Sequence, residues 1–304
     1  MELSVDDADR ALLDVGRQLR ELGYTFTTVT PETHRRNNAR HAEAASVRDV
    51  FGWSRPFAAT VLPPALLAAA ETAGILARDG ALYRATVRFS TLGDGLYVHS
   101  AYPTLSADAV FFGPDTYRFC ALLSRVVGRA RRCVDVGCGS GAGALSIASR
   151  LDRVVLTDLN TQALRLARIN AQLAGVSDRV ELACGDLLEP VEGELDLVIA
   201  NPPYLVDAKQ RAYRNGGGTF GEGVALRIVE QARRRLAPGG QLVLYTGAPI
   251  VDGRHVLREA LAPRLAGTAW TYEELDPDVF GEELDEPAYA AVERIAVAAV
   301  IATM

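Results

Sequence analysis

The chain has 304 residues, of which 49% are hydrophobic and 23% are charged, and its formal net charge is -6. This length allows one large domain or two ordinary ones, and the apolar content is sufficient for a folded core. The acidic balance argues against a protein whose affinity depends mainly on neutralising phosphates. No run reaches the ~18 apolar residues of a membrane span, and the first residues lack the apolar segment of an export signal. We therefore expect a soluble, cytoplasmic protein with no membrane partner.

The cysteines and histidines do not form a pattern typical of a metal site or a disulfide framework. The chain has four of each; the cysteines include no CxxC pair, and the histidines are scattered along the sequence. Metal ligands and paired cysteines usually recur at short, characteristic spacings. The sequence therefore predicts no metal site and is consistent with a reducing compartment.

Residues 1–107 differ in pattern from the rest of the chain, and we expect them to form a substrate-recognition or accessory domain. Helices are predicted near 6–22 and 63–77, followed by a β-hairpin that turns at Gly93-Asp94-Gly95. Helices followed by a hairpin can also read nucleic acid. Acidic and basic residues nearly balance over residues 1–60, which favours the accessory role.

From Val134 onward, short apolar runs alternate with helical patterns, which is typical of βαβ units and a mostly parallel sheet. The helices are expected near 142–150, 161–174, 223–236 and 254–265. The predicted strands are CVDVG, RVVLTD, RVELACG, LDLVIA and GQLVLYTG. The final segments, TAWTYEELD and ERIAVAAVIAT, suggest an antiparallel pair at one edge. We assign residues 108–304 to this α/β domain.

A glycine-rich turn joins the first of these strands to a helix. Gly137, Gly139 and Gly141 lie in the stretch VDVGCGSGAGALSIA. Glycine lets a ligand approach the backbone closely, next to the positive end of a helix. A nicotinamide-cofactor fold is the rival interpretation, but the spacing is GxGxG rather than GxGxxG.

Three acidic residues lie at or near the ends of successive predicted strands. Asp135 precedes Gly137 by two residues and suits a cationic group, such as an ammonium, better than a pyrophosphate. Asp158 ends the second strand, where a carboxylate can accept both hydroxyls of a ribose. Asp186 ends the third and could accept from an adenine amino group. Each acid alone could be a helix cap or turn residue, but together they describe a ligand with an amino acid, a ribose and an adenine.

These residues resemble the class I S-adenosylmethionine-dependent methyltransferases, and the resemblance covers residues 108–304. It implies a Rossmann-like sheet of seven strands in the order 3-2-1-4-5-7-6, with strand 7 antiparallel. The implied cofactor is S-adenosyl-L-methionine, and the product is S-adenosyl-L-homocysteine. The implied cofactor-binding residues are Pro114, Thr116, Asp135, Gly137, Gly139, Gly141, Asp158, Leu159, Asp186, Leu187 and Asn201.

The motif Asn201-Pro202-Pro203-Tyr204 follows the predicted fourth strand. It is similar to the NPPY motif of methyltransferases that act on planar nitrogen, on protein glutamine or on nucleic-acid bases. The triplet Pro114-Asp115-Thr116 is most similar to the release-factor glutamine methyltransferases. Two features depart from that group: Gly113 stands where an arginine is usual, and residues 1–107 do not resemble its helical bundle.

The chemistry of such an enzyme accounts for the rigid turn. An amide or aromatic amino nitrogen is a poor nucleophile because its lone pair is delocalised. The Asn201 side-chain oxygen and the Pro202 carbonyl would each accept one N–H and orient that nitrogen. Tyr204 would stack on the flat substrate. Asn201, Pro202 and Tyr204 are therefore the predicted catalytic residues, while the alternative is an ordinary turn that ends a strand.

The sequence leaves several functions open. The leading hypothesis is N-methylation of a protein or peptide side chain, or of a small-molecule metabolite. A methyltransferase that acts on RNA or DNA bases is the alternative, and an inactive cofactor-binding regulatory module is the third. The glycine-rich stretch 205–223 is a candidate lid, in which Tyr213 and Arg214 either contact substrate or belong to a surface loop. No pattern indicates an oligomeric state.

Overall fold

The N-terminal part of the chain combines four helices with two β-hairpins. The computed structural model describes residues 6–104, 106–207 and 214–304. The helices are α1 (Asp7–Glu21), α2 (Pro31–Asn38), α3 (Val47–Phe51) and α4 (Pro64–Thr72). Asp6 caps α1 by accepting a hydrogen bond from the Asp9 amide, and the apolar face of α1 is buried. The helices predicted near 6–22 and 63–77 are therefore confirmed, although α4 ends earlier.

The hairpins are β1 (Leu76–Asp79) with β2 (Leu82–Ala85), and β3 (Val87–Leu92) with β4 (Gly95–Ser100). The hairpin predicted at Gly93-Asp94-Gly95 is confirmed, because β3 and β4 pair on either side of that turn. The sequence analysis predicted this hairpin alone. The structure adds a second one just before it, since β2, which ends at Ala85, pairs with β1 and not with β3.

A large, mostly parallel sheet forms the rest of the fold. Its strands are β5 (Ala130–Val136), β6 (Leu151–Asp158), β7 (Val180–Cys184), β8 (Leu195–Ala200), β9 (Leu236–Val251), β10 (Arg254–His255), β11 (Ala269–Asp276) and β12 (Arg294–Thr303). They lie in the order β7-β6-β5-β8-β9-β12-β11, and β12 is antiparallel to both of its neighbours. If β10 is left out of the numbering, this is the expected order 3-2-1-4-5-7-6. The short β10, which pairs antiparallel with the end of β9, is an addition.

Helices cover both faces of this sheet. They are α5 (Pro114–Val126), α6 (Ala142–Ser146), α7 (Thr161–Leu173), α8 (Gly223–Arg235) and α9 (Val256–Arg264). The helix predicted over 142–150 is shorter than expected, since α6 ends at Ser146 and a 3-10 turn follows. No helix in the described ranges combines the length and the apolar character needed to cross a membrane.

Helix α7 joins the N-terminal part to the sheet. Four apolar residues of α7, namely Ala163, Leu166, Ile169 and Leu173, belong to the same hydrophobic cluster as the core of the N-terminal part. Asp9 of α1 forms ion pairs with Arg165 and Arg168 of α7. Leu164 and Ala167 of the same helix belong to a core cluster of the sheet, so α7 packs in a core on each of two sides and fixes the N-terminal part against the α/β part.

Candidate active site

A cavity of about 300 Å³ opens at the carboxyl ends of the parallel strands. Ligands of open α/β sheets bind at this edge. The structure brings most of the predicted site residues onto its wall, namely Thr116, Asp135, Gly137, Gly139, Asp158, Leu159, Asp186, Leu187, Asn201 and Pro202. Pro114, Gly141 and Tyr204, which were also predicted, are not part of that wall.

The glycine turn adopts the backbone conformation that requires glycine. Gly137, Gly139 and Gly141 have φ angles of 64°, 53° and 75°, all in the left-handed region. The Gly139 amide donates to Asp158 Oδ2 at 2.9 Å, which ties this turn to the end of β6. A Cβ on Gly141 would lie 3.2 Å from the side chains of Leu145 and Leu156. Gly141 thus allows α6 to pack closely on the sheet.

Asp135 is a buried carboxyl on the cavity wall. Its Oδ2 accepts a hydrogen bond from the Ala144 amide at 2.9 Å, at the start of α6. Burial raises the pKa of Asp135 to about 7, and the nearby Asp158 acts in the same direction. A cation beside this carboxyl would stabilise its ionised form, so the position favours a positively charged ligand group.

Asp158 presents a second carboxyl to the same cavity. Its Oδ1 accepts from the Asn160 amide at 2.9 Å, opposite the bond from Gly139 to Oδ2. Burial raises the pKa of Asp158, and the amide hydrogen bonds oppose that shift. Each oxygen can still accept a second hydrogen bond, because a carboxylate has about four acceptor positions.

The third acid, Asp186, has a partner that the sequence did not indicate. Arg227 of α8 forms an ion pair with it, and both residues line the cavity. The neighbouring Leu187 lies in the left-handed region with a φ of 52°, which is uncommon for a residue with a side chain. Asp186 and Arg227 are separated by 41 positions in the sequence, which explains why no local pattern could reveal the pair.

Asn201 and Pro202 lie on the same cavity wall at the end of β8, the neighbour of β5, with oxygen acceptors available. In the part of the chain that the structure describes, the Asn201 side chain has no hydrogen-bond partner, and it lines the cavity together with Pro202 and Pro203. Asn215, from the chain that follows the motif, lines the same region. A substrate nitrogen placed here would meet amide and carbonyl oxygens in a turn that two prolines hold rigid.

Tyr204 lies elsewhere than expected for a residue that stacks on substrate. Its side chain is buried, with 7% exposure, and its hydroxyl donates to Asp115 Oδ2 at 2.7 Å. A Cβ on Gly247 would lie 2.3 Å from the ring, so the tyrosine fills a fitted space in the core. The prediction that Tyr204 stacks on the substrate is therefore corrected: its side chain is buried and anchors the end of the NPPY turn.

Asp115 holds this anchor from the start of α5. Besides the bond from Tyr204, its Oδ1 accepts from the Tyr245 hydroxyl at 2.8 Å and from Arg118 Nη1 at 3.1 Å. Pro114 occupies the first turn of the same helix, and the Gly113 amide donates to Thr116 Oγ1 at 3.2 Å. The Pro-Asp-Thr triplet thus starts the helix and fixes the NPPY turn through its acid.

Phe111 is a cavity residue that the sequence analysis missed. Its ring is 40% exposed and lines the cavity. A Cβ at Gly113 would lie 2.5 Å from that ring, which explains why glycine occupies this position. The signal was present as the pair of aromatic residues just before Gly113, but nothing local shows which of the two faces the cavity.

The candidate lid is only partly described. Arg214 forms ion pairs with Glu283 and Asp207, so in this structure its guanidinium is engaged by the protein itself. Tyr213 lies outside the described residues. The role of either residue toward a substrate stays a prediction.

Residues 119–262 match the family model described as methyltransferase small domain. A release factor glutamine methyltransferase of Deinococcus radiodurans is 35% identical over 164 residues, which are 50% of this chain and 55% of that protein. One of Borreliella burgdorferi is 32% identical over 130 residues, 39% of this chain and 45% of that protein. The crystal structure of Trm5b from Pyrococcus abyssi superposes with a TM-score of 0.50 at 16% identity, over 75% of this chain and 62% of that one.

The fold is a Rossmann-like α/β fold, and within it residues 119–262 are similar to the methyltransferase small domain. The sequence matches then narrow the resemblance to class I S-adenosylmethionine-dependent methyltransferases near the release factor glutamine methyltransferases, as the sequence analysis expected. The chain spans about half the length of the curated relatives it matches. The structural likeness to Trm5b concerns the fold alone.

Proposed function

We propose that this protein is an S-adenosylmethionine-dependent N-methyltransferase. Its substrate would be an amide or planar nitrogen on a protein or peptide side chain, glutamine-like amides first, or on a small-molecule metabolite. The observation that carries this proposal is one cavity that joins the glycine turn and its acids to the acceptors of Asn201 and Pro202. The relatives named release factor glutamine methyltransferases support a protein amide as the first choice.

The wall of the cavity fits S-adenosylmethionine by its charges and hydrogen-bond acceptors. Asp135 would hold the ammonium group, Asp158 would accept from the ribose hydroxyls, and Asp186 would accept from the adenine amino group. The raised pKa values of Asp135 and Asp158 show buried carboxyls that a cationic ligand would stabilise. When bound, the cofactor supplies an electrophilic methyl group on a sulfonium.

The work of the protein is to orient the nucleophile. Asn201 Oδ1 and the Pro202 carbonyl would accept the two N–H groups of the substrate nitrogen, which directs its lone pair and stabilises its growing positive charge. Proline has no backbone N–H and a fixed φ, so the turn cannot easily rotate these acceptors away. Tyr204 and Asp115 would keep the turn in place from behind. The product cation is acidic enough to lose its proton to water.

The central test compares the wild type with Asn201→Ala. The purified protein is incubated with methyl-labelled S-adenosylmethionine and cell extract, which is then separated into protein, nucleic-acid and small-molecule fractions. We expect label in protein or small molecules, and a loss of about two to three orders of magnitude in turnover with Asn201→Ala. Calorimetry should show nearly unchanged cofactor affinity.

The matched control is Gln18→Ala, which removes a side-chain amide from the surface of α1, where it bonds to Asp14. It should transfer label like the wild type. Full activity of Asn201→Ala would remove Asn201 from the mechanism. Label in nuclease-sensitive material would instead establish the alternative, a base methyltransferase. Cofactor binding without transfer to any fraction would support the inactive module.

A further inference from the structure

Arg88 of β3 is a buried guanidinium that forms no ion pair with any residue in the described ranges. The residue is 4% exposed, and neither Nε nor Nη2 has a hydrogen-bond partner among the described residues. Among the described residues, the titratable groups that interact electrostatically with it are three tyrosines, Tyr24, Tyr117 and Tyr102, and two histidines, His34 and His99; none of them is a carboxylic acid. Buried charges in proteins are normally paired and fully hydrogen-bonded, because an uncompensated one is strongly destabilising.

The surroundings of Arg88 compensate only part of this charge. Its Cζ lies 5.2 Å from the centre of the Phe26 ring, which provides a cation–π contact. An aromatic face attracts the charge but does not give each N–H an acceptor in its own plane. Two N–H groups on the same side of the guanidinium, Nε and Nη2, remain directed into the protein. This is the side-on pair that binds a carboxylate with two parallel hydrogen bonds.

His34 of α2 adds another donor without an acceptor. It is 1% exposed, and its Nδ1 has no partner among the described residues. Arg55 Nε donates to Asn38 Oδ1 at 3.1 Å, so Asn38 Nδ2 faces His34 Nε2 at 3.1 Å and donates to it. In the neutral imidazole the proton must then be on Nδ1. Burial lowers the pKa of His34 to about 4, as does the charge of Arg88, so the ring is neutral at pH 7.

Tyr102 lies close to both His34 and Arg88. Its ring centre lies 4.1 Å from that of His34, and its hydroxyl is within electrostatic range of Arg88. It is the half-buried member of the group, so it forms the outer side. The Arg88 cluster, defined as Arg88, His34 and Tyr102, therefore presents donors inward and one aromatic side chain outward.

The neighbouring His99 shows that this feature is specific. His99 is paired with Arg88 in the register of β3 and β4, and it is equally buried. Both of its ring nitrogens are engaged, Nδ1 with the Ser100 carbonyl at 3.0 Å and Nε2 with Ser90 Oγ at 2.8 Å. The same face of the hairpin thus satisfies both ring nitrogens of His99, whereas Nε and Nη2 of Arg88 find no acceptor in the part of the chain that the structure describes.

We propose that the Arg88 cluster is a carboxylate-binding site. A carboxylate would accept from Nε and Nη2 of Arg88 and from Nδ1 of His34, and it would neutralise the buried charge. A series of contacts connects the site to the proposed methyl-transfer cavity: Arg88 pairs with His99 in the hairpin register, the His99 ring stacks on Phe112 at 4.9 Å, and the adjoining Phe111 lines the cavity. The carboxylate belongs either to the methyl acceptor or to a separate small ligand.

The test follows the Nδ1 signal of His34 by NMR in protein labelled with ¹⁵N-histidine and assigned with His34→Gln. Sodium acetate is the probe, with acetamide as the neutral isostere and sodium chloride at equal ionic strength. We expect a saturable shift with acetate alone, and at least a tenfold weaker apparent affinity in Arg88→Met. An equal response to acetate and chloride, or an unchanged response in Arg88→Met, would overturn the proposal.

Two further variants keep this test decisive. Arg78→Met removes an exposed arginine that packs on the Tyr83 ring at 4.1 Å, and it should bind acetate like the wild type. Arg88→Lys keeps the charge but not the planar fork, so it should also bind weakly, and it serves if Arg88→Met does not fold. The titration of the wild type requires neither variant.

The source of the carboxylate is decided by methyl transfer. If added acetate inhibits the transfer of label to the extract fraction by competing with the methyl acceptor, the carboxylate belongs to that acceptor. This part of the test rests on the proposed function. If transfer proceeds without competition, the ligand is a separate one. The NMR titration uses no cofactor, so a protein that transfers no methyl group would still answer whether the Arg88 cluster binds a carboxylate.

Discussion

At the scale of single residues, the position of the NPPY turn depends on Asp115, a buried acid outside the motif. From its position in NPPY alone, Tyr204 is predicted to stack on the substrate. The structure instead buries it against Asp115, 89 residues earlier in the chain. The rigidity of the turn thus has two sources, the fixed φ angles of the prolines and a hydrogen bond to a buried acid.

We therefore expect Tyr204→Phe to lower the free energy of unfolding by about 1–2 kcal/mol, because one oxygen of buried Asp115 loses its donor. Urea denaturation followed by circular dichroism measures this difference. Tyr272→Phe is the matched control, since among the described residues that hydroxyl makes a single long contact, of 3.4 Å with His255. Equal stability of Tyr204→Phe and the wild type would contradict the anchoring role.

Asp135 predicts a pH-dependent cofactor affinity. An ammonium group binds the ionised carboxylate, and the pKa of Asp135 is raised to about 7. Affinity for S-adenosylhomocysteine should therefore rise about tenfold per pH unit up to pH 7 and then level off. The stability of the unliganded protein changes in the opposite direction. Because the pKa of Asp135 is higher in the folded than in the unfolded state, the free energy of unfolding decreases as the pH rises toward 7.

Calorimetry between pH 5.5 and 7.5 tests this expectation. Asp135→Asn should bind more weakly and show a flat profile over the same range, because the amide does not titrate. A wild-type profile as flat as that of Asp135→Asn would show that the ammonium group is bound elsewhere.

At the scale of elements, helix α6 packs closely against the Asp135 carboxyl, to which it donates a hydrogen bond. A Cβ on Gly143 would lie 2.7 Å from Asp135 Oδ2 and 2.7 Å from a ring carbon of Phe119. We expect Gly143→Ala to displace the Asp135 carboxyl and to weaken cofactor binding by roughly tenfold, the equivalent of one charged hydrogen bond. Isothermal calorimetry at pH 7.5 measures the change.

Gly128→Ala provides the comparison, because a Cβ there meets nothing within 4 Å and the φ angle is not left-handed. Its cofactor affinity should equal that of the wild type. If Gly143→Ala binds as tightly as Gly128→Ala, then Asp135 either tolerates displacement or does not contribute to binding.

At the scale of the whole molecule, the shared helix α7 makes the two parts of the chain interdependent. A fragment of residues 108–304 would expose the α7 side chains that pack in the N-terminal core, and would leave Arg165 and Arg168 without Asp9. We expect this fragment to unfold at lower urea and to bind the dye ANS. Added residues 1–107 should reverse both effects. A fragment as stable as the full chain would show that the sheet part is complete without them.

The sequence predicted features that depend on local patterns. The alternation of strands and helices and the acids near the strand ends follow from short apolar runs and their final residues, whereas the strand order was implied by the resemblance to class I methyltransferases. The partners of those acids could not be predicted in the same way, since Arg227 reaches Asp186 from a helix that begins 37 residues later. Arg88 was missed for a different reason: it alternates within a strand like an ordinary surface residue, and burial of an arginine without an acid runs against the general rule.

Helix α7 also carries a thermodynamic consequence. It begins directly after the loop in which Asp158 accepts from the Asn160 amide, and it continues into the core of the N-terminal part. A ligand that orders the start of α7 and a ligand that strengthens the packing of α7 in the N-terminal core would therefore act on the same helix. Linkage requires the effect to be reciprocal: the factor by which the cofactor strengthens binding at the N-terminal part must equal the factor by which that binding strengthens the cofactor.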